Sequence, residues 1–274
     1  MIQPAAVGLL ELLGFQFFQY ALIGGIIATL ACAWIGLFLV LRKEAMIVDG
    51  VAHTAFGGIA LGLFLGVAPL IPALIISVLA VLAITYMRRK GLAQSDSAIA
   101  IMLALGFSTG LIVISLAGGF NVELFSYLFG SILTISQADL LLTAGLSIFI
   151  IAFMLFFYKE LLAITFDEGA SKLTGIPVVA LSLAFNIMVA VTIVVTIKII
   201  GIILVVALVV IPALSALQFR LSFRKTMLAS MVIGVASVVS GLFLSAIYNV
   251  ATSGVIVFAA VGIFLASATY NHLR

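Results

Sequence analysis

The feature that most constrains this sequence is a series of apolar runs, each about 20 residues long and each ended by basic residues or by glycine and proline. A helix of that length and character matches the ~30 Å hydrocarbon core of a bilayer. Such runs cover about 17–41, 46–66, 70–87, 97–117, 139–158, 226–248 and 254–271. The segment 178–211 is apolar except for Asn186 and Lys198. It is too long for one span, and it divides near Lys198–Gly201 into a sixth and a seventh helix. With 66% hydrophobic and 8% charged residues in a chain of 274, there is no room for a separate soluble domain. The expected fold is all-α: one polytopic transmembrane domain over 1–274 with about nine spanning helices. Residues 120–137 carry Asn121, Glu123, Ser126, Ser131, Thr134 and Gln137 and read as a short interfacial or re-entrant helix. Residues 1–16, with Gln3, Pro4 and Glu11, read as a short interfacial helix without the basic start of a cleavable signal.

The charges sit at the ends of the runs, so the net charge of +3 reflects topology and not nucleic-acid binding. If Arg42 and Lys43 are cytoplasmic, alternation through nine spans also puts Arg88, Arg89, Lys90, Lys159, Lys172, Arg220, Arg224, Lys225 and Arg274 inside, leaving only Lys198 outside. That orientation places the N-terminus outside and the C-terminus in the cytoplasm of a cell (plasma or inner) membrane. The lone cysteine, Cys32, has no partner for an internal disulfide.

One run breaks the apolar rule. Asp49 and His53 lie inside the second span, four residues apart, and therefore on one face of a helix. Ionisable residues within a span are costly and point to function. A carboxylate and a neutral imidazole are good ligands for zinc, manganese or iron(II). Two ligands from one helix make only a partial shell, which suits a transport site that must release its ion. A structural polar contact between helices is the competing reading. Beside the pair, Gly50, Thr54, Gly58 and Gly62 recur every fourth residue, a small-residue stripe that lets another helix pack closely.

Between spans five and six lies a polar interlude, 165–177. Thr165 or Asp167 can cap a helix start, Asp167 and Glu168 favour its positive end, and Lys172 lies near its negative end. Gly175 can take the left-handed position after the helix, with Pro177 just beyond. The pattern predicts a helix of about two turns over roughly 166–175, about 12 Å long and far too short to span. It is either an ordinary capped loop helix or a docking element for a cytoplasmic partner.

Taken in order, four stretches resemble the membrane permease of zinc/manganese/iron ABC importers, whose fold is shared with the cobalamin and siderophore permeases. They are Asp49–Gly62; Leu128–Leu133, with Gly130 and Ser131; Asp167–Gly175, similar to the family's coupling helix; and Gly201–Ala213, an apolar span ending in Pro212-Ala213. Thr252-Ser253-Gly254 resembles the family's start of the last helix. The sequence departs from the family pattern at Ala52, Gly57 and Thr252 without removing an ionisable group. The resemblance implies a homodimer whose copies each dock an ATPase subunit through Asp167, Glu168, Ala170 and Gly175. It also implies an extracytoplasmic binding protein that delivers the divalent metal as substrate. No cofactor is expected to bind tightly. The sequence has no Gly-x-x-x-x-Gly-Lys-Ser/Thr stretch, so ATP would be held by the partner subunit, and the chain is not expected to be an enzyme.

Two other classes remain for comparison. A stand-alone proton-coupled transporter would use Asp49 and His53 as a proton relay and need no ATPase. An intramembrane enzyme is disfavoured by the absence of His-Glu-x-x-His, and Ser253-Gly254 has no plausible base beside it in sequence. Among the remaining polar residues, Asn186 reads as an interhelical hydrogen bond and Asp139 as facing headgroups or water. Lys198 reads as a turn residue reaching the outer interface, and His272 as a tail residue.

Overall fold

The computed structural model describes residues 9–119, 122–130 and 135–272. Every regular element among them is a helix. In chain order these are α1 (Leu9–Leu12), α2 (Gln16–Leu41), α3 (Met46–Leu65), α4 (Leu70–Arg89), α5 (Ser95–Leu116), α6 (Val122–Phe129), α7 (Gln137–Phe156), α8 (Tyr158–Phe166), α9 (Glu168–Leu173), α10 (Val178–Ile200), α11 (Ile202–Leu217), α12 (Phe223–Tyr248) and α13 (Thr252–His272). Eight are long and apolar enough to cross a bilayer, and α11, with 16 residues, is a shorter apolar helix. They correspond one for one to the nine expected spans. α10 and α11 part at Gly201, whose φ of +83° few other residues adopt without strain.

Two elements differ from the sequence reading. The fifth apolar run does not continue to residue 158, because α7 ends at Phe156 and a separate helix, α8, follows. Lys159 and Glu160 fall inside α8, which buries Leu161 and Ile164 and so has an apolar side of its own. Charges at the end of an apolar run mark where it leaves the membrane, not where the helix stops. The expected element over 120–137 is in part α6; Asn121, Ser131 and Thr134, with the rest of 120–121 and 131–134, lie outside the described residues.

The chain divides into two compact units. The first comprises Met1–Leu37, Ser126–Ile148 and Thr196–Arg274. Within it α11, α12 and α13 pack together. Phe18 of α2 lies 5.2 Å from Phe243 of α12, ring to ring. Gly130 and Gly201, both at positive φ, meet backbone to backbone: a Cβ on Gly130 would sit 2.7 Å from the carbonyl carbon of Ile200.

The second unit comprises Phe38–Phe125 and Phe149–Val195, and α3 is at its centre. Thirteen of the twenty residues of α3 are buried, which explains why its apolar pattern runs around the helix instead of along one stripe. Gly66, left-handed at φ +66°, closes α3 with its N–H on the carbonyls of Gly62 and Leu63, and Pro69 then opens α4. In a bilayer the surrounding lipid is as apolar as the side chains, so helices associate largely through close van der Waals contact. Small residues provide that contact here. A Cβ on Gly58 would lie 2.5 Å from Cα of Ala73 in α4, and one on Gly62 would lie 2.7 Å from Cα of Pro69. A Cβ on Gly57 would lie 2.5 Å from the carbonyl oxygen of Gly106 in α5, and one on Gly50 would meet Ile99 at 2.7 Å. Thr54 joins the same seam, since a Cβ on Gly106 would lie 2.5 Å from Cα of Thr54. The α3 backbone thus runs against α4 on one side and α5 on another.

Candidate functional site

α3 begins at Met46, so Asp49 stands in its first turn, where the unpaired N–H groups favour a negative charge. His53 follows one turn later, and its Nε2 lies 3.4 Å from Oδ1 of Asp49. The side chains keep 40% and 30% of their surface respectively, on a helix that is otherwise mostly buried. The imidazole is held edge-on against Phe107 of α5 at 5.3 Å and 88°, and Phe107 in turn stacks on Phe56 at 5.6 Å. Nδ1 of His53 is buried with no hydrogen-bond partner. The pair thus leaves Nδ1 of His53 unpaired, while Nε2 faces the Asp49 carboxylate. No group of three or more His, Cys, Asp or Glu capable of holding a metal occurs among the described residues. One chain therefore offers two strong ligands at this point.

The loop helix α9 is built as its sequence suggests. Asp167 is extended and caps it, accepting from the N–H of Ala170 at 2.9 Å. Glu168 and Lys172, one turn apart, pair at 2.7 Å. The ammonium of Lys172 holds the Glu168 carboxyl below its ordinary range, with Arg42 and Arg88 adding to the effect. Gly175 takes φ +84° just past the helix. Ser171 is buried and anchors the inner side through the carbonyl of Asp167 at 2.7 Å. The outer side is bare: Ala170 is exposed, Leu173 is 91% exposed and neighbouring Phe166 is 69% exposed.

Arg42, Glu44 and Arg88 form a network that sequence reasoning treated as separate topology charges. Glu44, in the turn between α2 and α3, lies 3.2 Å from Arg42 and 3.0 Å from Arg88 at the end of α4. Arg42 donates to Oγ of Ser182 in α10 at 3.1 Å and lies 5.0 Å above the ring of Phe185. Both Arg42 and Glu44 keep only 10% of their side-chain surface. Burial pulls the Arg42 guanidinium below its ordinary pKa, and Glu44 opposes that pull. The signal available in the sequence was Glu44, an acid directly beside two basic residues at a turn where only cations were needed.

Asp139 pairs with Lys198 at 2.5 Å and accepts from Ser136 Oγ at 2.6 Å, so neither charge is left facing headgroups alone. Asn186 is buried, with its side-chain oxygen unpaired. His272 is exposed at the end of α13.

Comparison with known proteins bears on the whole chain. The model of the ABC 3 transport family matches residues 14–271. The manganese transport system membrane protein MntC of Halalkalibacterium halodurans is 32% identical over 254 residues, covering 93% of this chain and 87% of that protein. The high-affinity zinc uptake system membrane protein ZnuB of Haemophilus influenzae is 28% identical, covering 92% and 97%. Among solved structures, PsaBC from Streptococcus pneumoniae in complex with Fab superposes with a TM-score of 0.86 at 31% identity, covering 95% of each chain. With the match extending from the first spanning helix to the last, the chain belongs to the ABC 3 transport family.

Proposed function

We propose that this chain is the permease of an ATP-binding-cassette importer that carries a divalent transition metal ion, manganese, zinc or iron(II), across the cell membrane. The observation that carries the reading is the Asp49–His53 pair, two transition-metal ligands held together within a spanning helix, in a chain of a transport family whose relatives are named for manganese and zinc. The metal is the substrate, and the pair lines its path. Two ligands per chain leave a shell incomplete. A homodimer that brings two pairs together, or waters beside one pair, would complete it while keeping binding weak enough for release.

ATP hydrolysis belongs to a separate cytoplasmic subunit docked on α9. The exposed Leu173, Ala170 and Phe166 support this, because apolar side chains so bare outside the spans are suited to a protein partner. Asp167, Glu168 and Gly175 fix the shape of that docking helix. The N-terminus lies outside and the C-terminus inside. In support, the ends of α2 and α4 and the starts of α9 and α10 border one cavity, which brings Arg42, Arg88, Arg89 and Lys172 to a single side. An extracytoplasmic binding protein delivers the ion. Alternating access arises as α3, carrying the ligands, shifts against α4 and α5 along its glycine seam.

The test is metal uptake into vesicles containing this chain and its ATPase subunit, with the extracytoplasmic binding protein supplied. Uptake that requires ATP hydrolysis and persists when the proton gradient is collapsed supports the reading. Uptake by the chain alone, driven by the proton gradient, refutes it in favour of a secondary transporter.

A further inference from the structure

The cavity bordered by α2, α4, α9 and α10 has a volume of about 370 Å³. Four of its lining residues are basic, Arg42, Arg88, Arg89 and Lys172, and two are acidic, Glu44 and Glu168. Glu168 pairs with Lys172, and Glu44 lies between Arg42 and Arg88, its Oε1 accepting from Arg88 while its Oε2 accepts no hydrogen bond. The local excess is therefore two positive charges. Nη1 of Arg42, on a side chain that is nine-tenths buried, has no hydrogen-bond partner. A buried guanidinium N–H without an acceptor is costly, and an oxyanion in the cavity would relieve it.

The membrane supplies such oxyanions at this depth. The cavity lies at the ends of spanning helices, where phospholipid headgroups begin. The α4 helix connects it to the acyl layer. Ile71, Ile75, Leu79, Leu82 and Tyr86 form an exposed stripe at spacings of three and four residues, and the next residue in that register is Arg89, which lines the cavity. From this juxtaposition of a buried unpaired guanidinium, a basic cavity and an apolar stripe that leads to it, we infer that the cavity binds a phosphate-type oxyanion, and that its source is the headgroup of an anionic phospholipid whose acyl chain lies along α4. The site is separate from Asp49 and His53 and does not depend on which ion is transported.

The test uses the full chain in mild detergent, incubated with phosphatidylglycerol, phosphatidylcholine or inorganic phosphate, with bound adducts read by native mass spectrometry. Phosphatidylglycerol should be retained in clear preference to phosphatidylcholine. Arg89→Gln should reduce its retention about fivefold, and Arg42→Gln should reduce it further. Arg89 is exposed and unpaired, so its variant remains informative if loss of the buried Arg42 prevents folding. Arg224→Gln, at an exposed basic residue at the start of α12, should leave retention unchanged. Adducts of inorganic phosphate that Arg89→Gln removes, without a preference among lipids, would keep the oxyanion site and overturn the lipid as its source. No preference for either anion, or an equal loss with Arg224→Gln, would overturn the site.

Discussion

The packing of α3 against α4 gives a sharp prediction at Gly58. An alanine there places a Cβ 2.5 Å from Cα of Ala73, 2.8 Å from its nitrogen and 2.9 Å from the carbonyl oxygen of Pro72. Ordinary contacts begin near 3.4 Å, so the helices must part by roughly 1 Å, enough to forfeit a quarter to a half of each dispersion contact along the seam. Overpacking of this kind costs about 1–3 kcal/mol. Alanine returns up to about 1 kcal/mol through its better helix propensity. The net loss is about 0–2 kcal/mol, a fall in Tm of up to roughly 8 °C on the scale of soluble proteins of similar size. The gap to a glycine-to-alanine change in open space is the full cost of about 1–3 kcal/mol. The atoms met are backbone, so Ala73→Gly should not rescue the variant. Gly262→Ala in α13, where a Cβ meets nothing within 4 Å, is the matched control and should be neutral or slightly stabilising. Thermal unfolding in detergent measures both, and uptake by Gly58→Ala should fall because the helix bearing Asp49 and His53 is displaced. Equal stability of the two variants, or rescue by Ala73→Gly, would refute the idea that backbone contact sets the position of α3.

Two further predictions concern α9. Ala170→Arg puts a long charged side chain on the exposed face of the docking helix and should release the ATPase subunit, as measured by co-purification, while leaving the amount of chain in the membrane unchanged. Glu168→Gln removes an exposed pair worth at most about 0.5 kcal/mol, so at neutral pH it should weaken hydrogen-exchange protection of residues 168–173 by about twofold. The pH dependence has a definite sign. Because Lys172 depresses the folded-state pKa of Glu168, the pair contributes above the unfolded value near ~4.3 and is lost as pH falls through the folded value below it. Wild type and Glu168→Gln should therefore differ equally across neutral pH and converge only as the pH falls below the ordinary carboxyl range.

The fold was legible because a bilayer leaves few choices. Every span had to be a helix of about 20 residues, and the charges marked its ends. The capped loop helix was readable for a similar reason, since Asp167, Glu168, Lys172 and Gly175 each act within one or two turns of chain. What the sequence concealed depends on distance along the chain. Lys198 and Asp139 are 59 residues apart, and Arg88 and Glu44 are 44 apart. Nothing in local spacing announces that such charges will pair. The helix α8 was missed because Lys159 and Glu160 mimic the end of a helix, although they end only its membrane-embedded part. Asp49 and His53 stood out because an ionisable residue in a span is rare. Phe107, which holds the imidazole edge-on, did not, because phenylalanine is common in any span.

The central claim is that Asp49 and His53 line the path of the metal. The direct measurement is uptake of radioactive manganese or zinc by cells producing the complete transporter with Asp49→Ala or His53→Ala, together with the amount of chain in the membrane and of ATPase bound to it. Uptake at background level, with membrane content and ATPase binding unchanged, is the expected result. Uptake at the wild-type level in both variants would contradict the claim and leave the pair as a structural contact.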